Sequence, residues 1–404
     1  MFDVIIVGAR CAGATTAMLL ALRGHRVLFV DRSKFPSDIP HGFFIHRGGP
    51  ARLHRWGLLD RILATGCPAV DTILWDLTGF PLIGRGVAID GVAFGCGPRR
   101  KVLDQILIEA AVEASAEFRP QFIMEDVLTE HDRVTGVRGR QTSGSFSVTE
   151  RARLVIGADG WNSKLARIVG AASYETVPPL ACWYFTFWSG KFERCFAARR
   201  RGRTAVLSFP TSNEQHAIFV GWPVTEFPRV RQNIEREFMD VLRQMPELAE
   251  QVAAGRREDR FYGTADLPNF YRRPFGLGWA LVGDASCHKD PILALGITDA
   301  LRDAEFLSEA VDDGLTGTRP MDTALADYEE RRNRASRDLY QQNVEAARLL
   351  PVPEATTQLI TALRGREEDI RQFHLARQGL IPAEQFFNPD NLQHIMAGVS
   401  RGSA

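Results

Sequence analysis

The chain has 404 residues, 45% of them apolar and 24% charged, and its 49 Lys and Arg are cancelled by 49 Asp and Glu. That composition excludes a disordered chain, a fibrous repeat or a coiled coil. With lysine only at Lys34, Lys101, Lys164, Lys191 and Lys289 and no net charge, it offers no basic face for nucleic acid or anionic lipid.

At ~150 residues per domain the length implies two to three domains. The low-charge run Val4 to Leu22 is broken by Gly8, Arg10 and Gly13 and follows Asp3, so it reads as neither a signal peptide nor a membrane span. Cys11, Cys67, Cys96, Cys182, Cys195 and Cys287 are scattered with no Cys-x-x-Cys pair, the usage expected of free thiols in a reducing cytoplasm.

Phe2 to Val7 is a short, continuous apolar run rich in Val and Ile, as a strand buried on both faces requires. Gly8-Ala9-Arg10-Cys11-Ala12-Gly13 follows, then a helical stretch, Ala14 to Arg23, that ends at Gly24. Val27 to Val30 is a second buried strand closing on Asp31, which completes a βαβ unit. A helix is expected over about 47–65 and another over 100–116. Strands are expected at 121–130, 133–140 and 145–151, with a buried one at Leu154 to Ile156: a parallel sheet carrying an antiparallel β-meander.

Between about 176 and 265 the character changes. Trp183 to Trp188, Thr204 to Phe209 and His216 to Trp222 read as antiparallel strands, followed by an amphipathic helix near 230–243. The buried-strand pattern returns at Trp279 to Val282 and leads into Gly283-Asp284. From Gly296 a helix sets Ile297, Ala300, Leu301, Ala304 and Leu307 on one stripe. Residues 320–404 read as helices broken at Leu350 to Pro353, with no internal repeat or low-complexity tract.

In a dinucleotide-binding turn the first glycine makes the tight bend, the second admits the diphosphate, and the third lets helix and strand close together. Gly8 and Gly13 stand at the outer positions and Arg10 at the middle one, where the helix N-terminus still offers N–H groups to an anion. Asp31 stands where an acid accepts hydrogen bonds from ribose hydroxyls.

Gly157-Ala158-Asp159-Gly160 and Gly283-Asp284-Ala285, each after a buried strand, resemble the "DG" and "GD" motifs of flavoprotein hydroxylases. With the opening turn they make the chain similar to the class A flavoprotein monooxygenases and their FAD-dependent relatives, over about residues 1–345. The resemblance implies a p-hydroxybenzoate hydroxylase-like α/β fold. Its FAD-binding Rossmann-like domain (1–70, 98–175 and 266–345) carries the β-meander, beside an antiparallel-sheet substrate domain (71–97 and 176–265) and a C-terminal helical segment (346–404). By the same resemblance Gly8, Arg10, Ala12, Gly13, Asp31 and Arg32 hold the ADP half of FAD. Arg100 opens the helix near the flavin, the backbone of Val127 meets the adenine, Asp159 serves FAD and NAD(P)H diphosphate contacts, and Asp284 binds the ribityl chain.

The loop after Asp284 departs from the family pattern. Gly-Asp-Ala-Ala-His becomes Gly283-Asp284-Ala285-Ser286-Cys287 with His288 one place later, and Gly-Gln-Gly becomes Leu293-Ala294-Leu295-Gly296. Pro291, Gly296 and Ile297 keep their distance from Asp284, and ordinary turn chemistry would also explain them. If the helix beginning at Gly296 points its N-terminus at the flavin ring, its dipole stabilises the anion formed on reduction.

Trp183, Phe185 and Phe187 alternate with Tyr184, Thr186 and Trp188, so aromatics occupy both faces of a strand; one face lines an apolar pocket or simply packs a core. His41, His46 and His54 lack metal-ligand spacing, so no metal is expected. His46 and Arg47 fall where the family approaches the flavin ring. His288 is the one candidate proton donor or substrate orienter, although each of these histidines is more often structural.

No second nicotinamide fold is present, because Gly95-Cys96-Gly97 is followed by Pro98 and Arg99 without a βαβ frame. Electrons then come from NAD(P)H bound transiently at the flavin domain, or from a separate reductase. The expected function is hydroxylation of an aromatic or polyketide-like small molecule with molecular oxygen, through a flavin C4a-(hydro)peroxide. A geranylgeranyl-reductase-like enzyme shares the same motifs. A halogenase is disfavoured because Trp183 lies outside a Trp-x-Trp-x-Ile-Pro motif and no lysine lies between Lys34 and Lys101. A non-catalytic flavin-binding protein is a third reading. The helical tail would cap the pocket or form a homodimer.

Overall fold

The computed structural model describes residues 1–39, 42–144, 146–377 and 380–397; His41 lies outside the described residues. The chain forms two compact units. One comprises Met1–Thr65, Pro98–Val177 and Pro268–Arg337, and the other Gly66–Gly97, Pro178–Leu267 and Asp338–Ala404.

The first unit is α/β. β1 (Phe2–Val7) leads through α1 (Cys11–Leu22) to β2 (Val27–Val30), and the two strands pair in parallel. α2 (Gly48–Arg55) and α3 (Arg100–Glu113) precede β3 (Glu117–Arg119), the meander strands β4 (Phe122–Glu130) and β5 (Arg133–Gln141), and the long β6 (Val148–Gly157). β7 (Trp279–Leu281) and α4 (Gly296–Thr316) complete the frame. The parallel order is β7, β6, β1, β2, β3, with a short antiparallel strand, Phe275–Gly276, on the far side of β7.

Val4, Ile5, Ile6 and Val27 to Val30 are buried on both faces of the sheet, each such side chain contributing about 1.5–3 kcal/mol. α1 is buried from Cys11 through Leu20, with α3 and α4 against it. An interior helix must be apolar all round, and this one is.

Two expectations need correction. The two strands expected at 145–151 and 154–156 are one, Val148–Gly157, with Ser145 outside the described residues: Val148–Arg151 pairs antiparallel with β5, whereas Ala152–Gly157 pairs parallel with β1. The meander is therefore an extension of the parallel sheet. The helix expected over 47–65 is two, Gly48–Arg55 and Leu59–Leu63, because Gly57 turns left-handed (φ 71°) and the Leu58 N–H caps back onto the Leu53 carbonyl.

The second unit is built on a largely antiparallel sheet ordered Arg256–Arg257, Ala181–Ser189, Gln215–Pro223, Thr204–Pro210, Phe196–Arg201, Thr72–Asp76, Leu82–Arg85. Its Cys182, Trp188, Val220 and Trp222 face joins a core with Phe238, Leu242 and Leu248 from helices Ile234–Leu242 and Pro246–Ala254. The opposite face carries Phe185 stacked on Phe219 at 4.5 Å, with Phe187, Phe209 and Phe196 continuing the series. The C-terminal helices bring Ile360, Leu363, Phe373 and Phe386 against Leu82 and Trp75.

Among the described residues no helix is long and apolar enough to cross a membrane, and no group of side chains could hold a metal ion. All six cysteines are buried thiols, none of them in a disulfide.

Candidate functional site

Three turns follow the C-terminal ends of three adjacent parallel strands: Gly8 to Gly13 after β1, Ala158 to Gly160 after β6, and Gly283 to Ala285 after β7. Backbone hydrogen bonds tie them, from Gly8 N–H to the Val30 carbonyl (2.8 Å), Ala158 N–H to Val7 (2.7 Å) and Val282 N–H to Gly157 (2.9 Å). The chain leaves β1 towards β2 on one side while β6 lies on the other. That is the switch point at which open α/β sheets form a ligand crevice.

Gly8 sits at φ 104°, and a Cβ there would lie 2.3 Å from the Ala158 carbonyl oxygen; at Gly13 it would lie 1.8 Å from the Gly8 carbonyl oxygen. Both glycines are demanded by the turn. The N-cap of α1, Arg10, makes no side-chain cap and the first turn holds no acid, so the N–H groups of this end remain for an anionic ligand. The Gly283 turn meets this end, its would-be Cβ 2.7 Å from Ala12 Cβ.

Arg10, at the middle glycine position, is held by the fold itself. Its guanidinium donates to Asp104 (2.8 Å) and Ser37 (3.1 Å) and stacks over Phe35. Asp104 is fully buried and also accepts from Arg100 (3.0 Å) and the Cys11 thiol (3.3 Å). Burial works against charge on Arg100, but Asp104, Cys11 and Asp284 raise its pKa above the ordinary value. Asp284 therefore lies within electrostatic reach of Arg100. Burial also pushes the Cys11 thiol up to about 12, keeping it neutral.

Asp31 is buried and accepts from Ala9 N–H (3.0 Å) and Ser33 N–H (2.8 Å). Each carboxylate oxygen keeps a lone pair for a further donor. Arg32 beside it is exposed. Val127 is half-buried on β4, against the cluster that contains Val7 and Val30 at the mouths of two of the strands. Asp159 caps its own loop, accepting from Ser163 (2.5 Å) and Lys164 N–H (2.7 Å). Its carboxylate thus shapes the turn.

The loop after Asp284 winds through the 3-10 turn Pro291–Leu293, where Asp290 accepts from Ile292 N–H (3.0 Å), and then through Ala294 at φ 52° into α4. Left-handed backbone is unusual for alanine. Ile297 is buried, whereas Gly296 is exposed and a Cβ there would meet nothing within 4 Å, so the first turn of α4 opens onto space.

His46 packs under this loop. Its ring bonds to the Leu293 carbonyl (3.0 Å), and its backbone N–H donates to Thr298 (2.9 Å). Burial first, and the Arg47 charge after it, bring its pKa down to about 4 against the pull of the Leu293 carbonyl and Asp299, so the ring is neutral near pH 7. His288 is buried in the strand pair Phe270↔His288, between Phe270 and Trp161, with Nδ1 donating to the Pro268 carbonyl. A carbonyl only accepts, so Nδ1 carries a proton, and in the tautomer with a single ring proton the acceptor is Nε2.

Arg272 and the group around Lys289 were not legible as site residues. Arg272 joins two of the turns, donating to the Trp161 carbonyl (2.9 Å) and the Ala285 carbonyl (3.0 Å) while stacked on Phe270. The scarcity of lysine was the one sequence signal for Lys289, whose ammonium pairs with Asp299.

The family model described as "FAD binding domain" matches residues 1–343. The chain is 25% identical over 380 residues to digeranylgeranylglycerophospholipid reductase 1 of Methanopyrus kandleri, covering 92% of this chain and 96% of that protein. It is 26% identical over 332 residues to 6-methylpretetramide 4-monooxygenase of Streptomyces rimosus, covering 78% and 76%. Among solved structures it resembles the myxobacterial chondrochloren halogenase, with a TM-score of 0.79 at 20% identity over 98% of this chain and 97% of that one, which shows a shared fold.

Proposed function

The chain belongs to the FAD binding domain family, and on that footing we propose that it is a monooxygenase that takes electrons from NAD(P)H and transfers one atom of molecular oxygen to an aromatic or polyketide-like small molecule in the cytoplasm. The observation that carries this reading is the meeting of the three turns at adjacent strand ends, beside an uncapped α1 and the open first turn of α4.

These residues fit FAD. The α1 N–H groups and the backbone of Gly8 to Gly13 hold the diphosphate, and Asp31 takes the ribose hydroxyls with its free lone pairs. The Val127 backbone is read as the adenine contact, and Arg32 stands at the solvent edge. Asp284, within electrostatic reach of Arg100, takes the ribityl chain. Asp159 and Arg272 keep the second and third turns in place. Pro291, Gly296 and Ile297 bring the open end of α4 to the ring.

When bound, FAD supplies the redox chemistry, accepting electrons from the nicotinamide and passing them to oxygen. The protein's part is to bind it, orient it and keep water away. His288, with a proton held on Nδ1 by Pro268, is read as the residue that accepts a hydrogen bond from a substrate hydroxyl through Nε2 and so orients it. The row Phe185, Phe187, Phe219 and Phe209 supports an aromatic or apolar substrate, since such a face offers stacking and few polar contacts.

A second reading, reduction of an isoprenoid double bond, is favoured by the likeness to the Methanopyrus reductase over nearly the whole chain. The test is oxygen uptake by FAD-loaded protein with NADH or NADPH and a panel of phenols and polyketides under labelled oxygen. Substrate-stimulated uptake with one labelled atom in the product is the expected result. A saturated product without label overturns it in favour of the reductase, a halide-dependent product in favour of a halogenase, and protein that stays colourless with FAD removes all three.

A further inference from the structure

A line of buried charges lies immediately beyond the third turn. Lys289, whose side chain is 6% exposed, pairs with Asp299 on the first turn of α4, three residues after Gly296. The other oxygen of Asp299 accepts from Arg302 (2.6 Å), which also holds Asp303 (2.9 Å). Burying four such charges is a poor way to gain stability, because desolvation takes back what the pairing gives and apolar groups would serve as well. The arrangement therefore calls for a different explanation.

A carboxylate in the first turn of a helix neutralises the half-positive charge that the aligned peptides place there. Asp299 alone would cancel the end of α4 that faces the open space at Gly296. With Lys289 and Arg302 on its two oxygens, that carboxylate is itself cancelled and the helix end stays positive. Burial disfavours charge on Lys289, yet Asp299 outweighs it and raises the lysine pKa, so the ammonium persists. Burial likewise pushes Asp299 up, while Arg302 and Lys289 hold it below the usual carboxylate range.

We propose that Lys289 is a positioning residue that sets the reduction potential of bound FAD, by cancelling the Asp299 carboxylate at the N-terminus of α4 so that the helix end favours the reduced ring. The inference rests on the flavin reading above. Two electrons and one proton leave the ring with one extra negative charge, and a positive helix end lowers the free energy of that state over the oxidised one.

The test is the midpoint potential of FAD bound to three variants of the full chain, measured by dye equilibration, alongside the FAD dissociation constant. Lys289→Met is expected to weaken binding of reduced relative to oxidised FAD by about tenfold, which lowers the potential by about 30 mV for a two-electron couple. Lys289→Arg is expected to restore the wild-type potential. Asp299→Asn is expected to move it the opposite way, because Arg302 keeps Asp303 as its partner while Lys289 stands uncompensated at the helix end.

Opposite signs are the signature of electrostatic control. A clamp that merely held the loop would fail in the same direction in both charge-removing variants. Equal shifts, or none with FAD still bound, overturn the proposal. If Lys289→Met does not fold, the Asp299→Asn shift decides alone, with a rise in support and a fall or no change against. Failure of the wild-type protein to bind FAD sinks the flavin reading instead, so the two failures are told apart.

Discussion

Asp104 has no exposed surface and is shared by Arg100, Arg10 and Cys11, so one carboxylate fixes the opening turn to the start of α3. Removing one member of a buried charge set leaves the others uncompensated, at about 3–5 kcal/mol. Asp104→Ala is expected to lose that much stability in denaturant unfolding and to weaken FAD binding, whereas Ser37→Ala, which removes only a peripheral partner of Arg10, changes stability by less than ~1.5 kcal/mol. His46 gives a second expectation. Its ordinary pKa of 6.5 falls to about 4 in the fold, so between those values the unfolded chain binds a proton that the folded chain does not. Its contribution is complete above pH 6.5 and is lost as pH falls towards 4, on the order of 3 kcal/mol at ~1.4 kcal/mol per unit. His46→Gln should remove about one proton from the slope of unfolding free energy against pH in that window; an unchanged slope would show that the ring is not buried neutral. Gly8, Gly13, Asp31 and Asp284 were legible because a tight turn and a ribose each demand a particular residue type. Arg272 was not, because its partners are the carbonyls of Trp161 and Ala285, and carbonyl positions leave no mark in a sequence.

At the scale of elements, two helix ends define the site, and their glycines behave oppositely. Gly13 in α1 has no room for a methyl group, its would-be Cβ 1.8 Å from a backbone oxygen. Gly13→Ala should therefore yield little folded protein. Gly296 heads α4 with nothing within 4 Å, and alanine in a helix is favoured over glycine by roughly 0.5–1 kcal/mol. Gly296→Ala should leave the melting temperature of the FAD-free protein unchanged or slightly raised while weakening FAD binding at least tenfold, read by quenching of flavin fluorescence. Unaltered affinity would mean that the ring lies elsewhere. The buried strands around Val4 to Val7 and Val27 to Val30 were legible as continuous apolar runs. The single strand Val148–Gly157 was not: its outer half is exposed meander and its inner half is sheet core, so the apolar pattern changes where the chain does not.

At the scale of the whole molecule, the residues read for FAD come from segments far apart in sequence that all belong to one compact unit, and this is why their order along the chain is legible while their junctions are not. Topology does the assembly: β6 and β7 lie in parallel on one side of β1, with β2 on the other, so turns some 150 and 275 residues after Gly8 emerge at the same sheet edge. A ligand that binds only the folded state stabilises what it touches, by about 2.7 kcal/mol at a hundredfold excess over its dissociation constant. Hydrogen exchange read peptide by peptide should therefore show slowing on FAD addition in 8–14, 31–33, 100–104 and 283–297, discontinuous in sequence and contiguous in space. Peptides from the helices Glu354–Ala362 and Glu367–Arg377, whose apolar faces are already covered by Leu82 and Trp75, should keep their rates. Slowing confined to the opening βαβ segment would describe a protein that binds only an adenine nucleotide; slowing across the full discontinuous set is what a dinucleotide held from α1 to α4 requires.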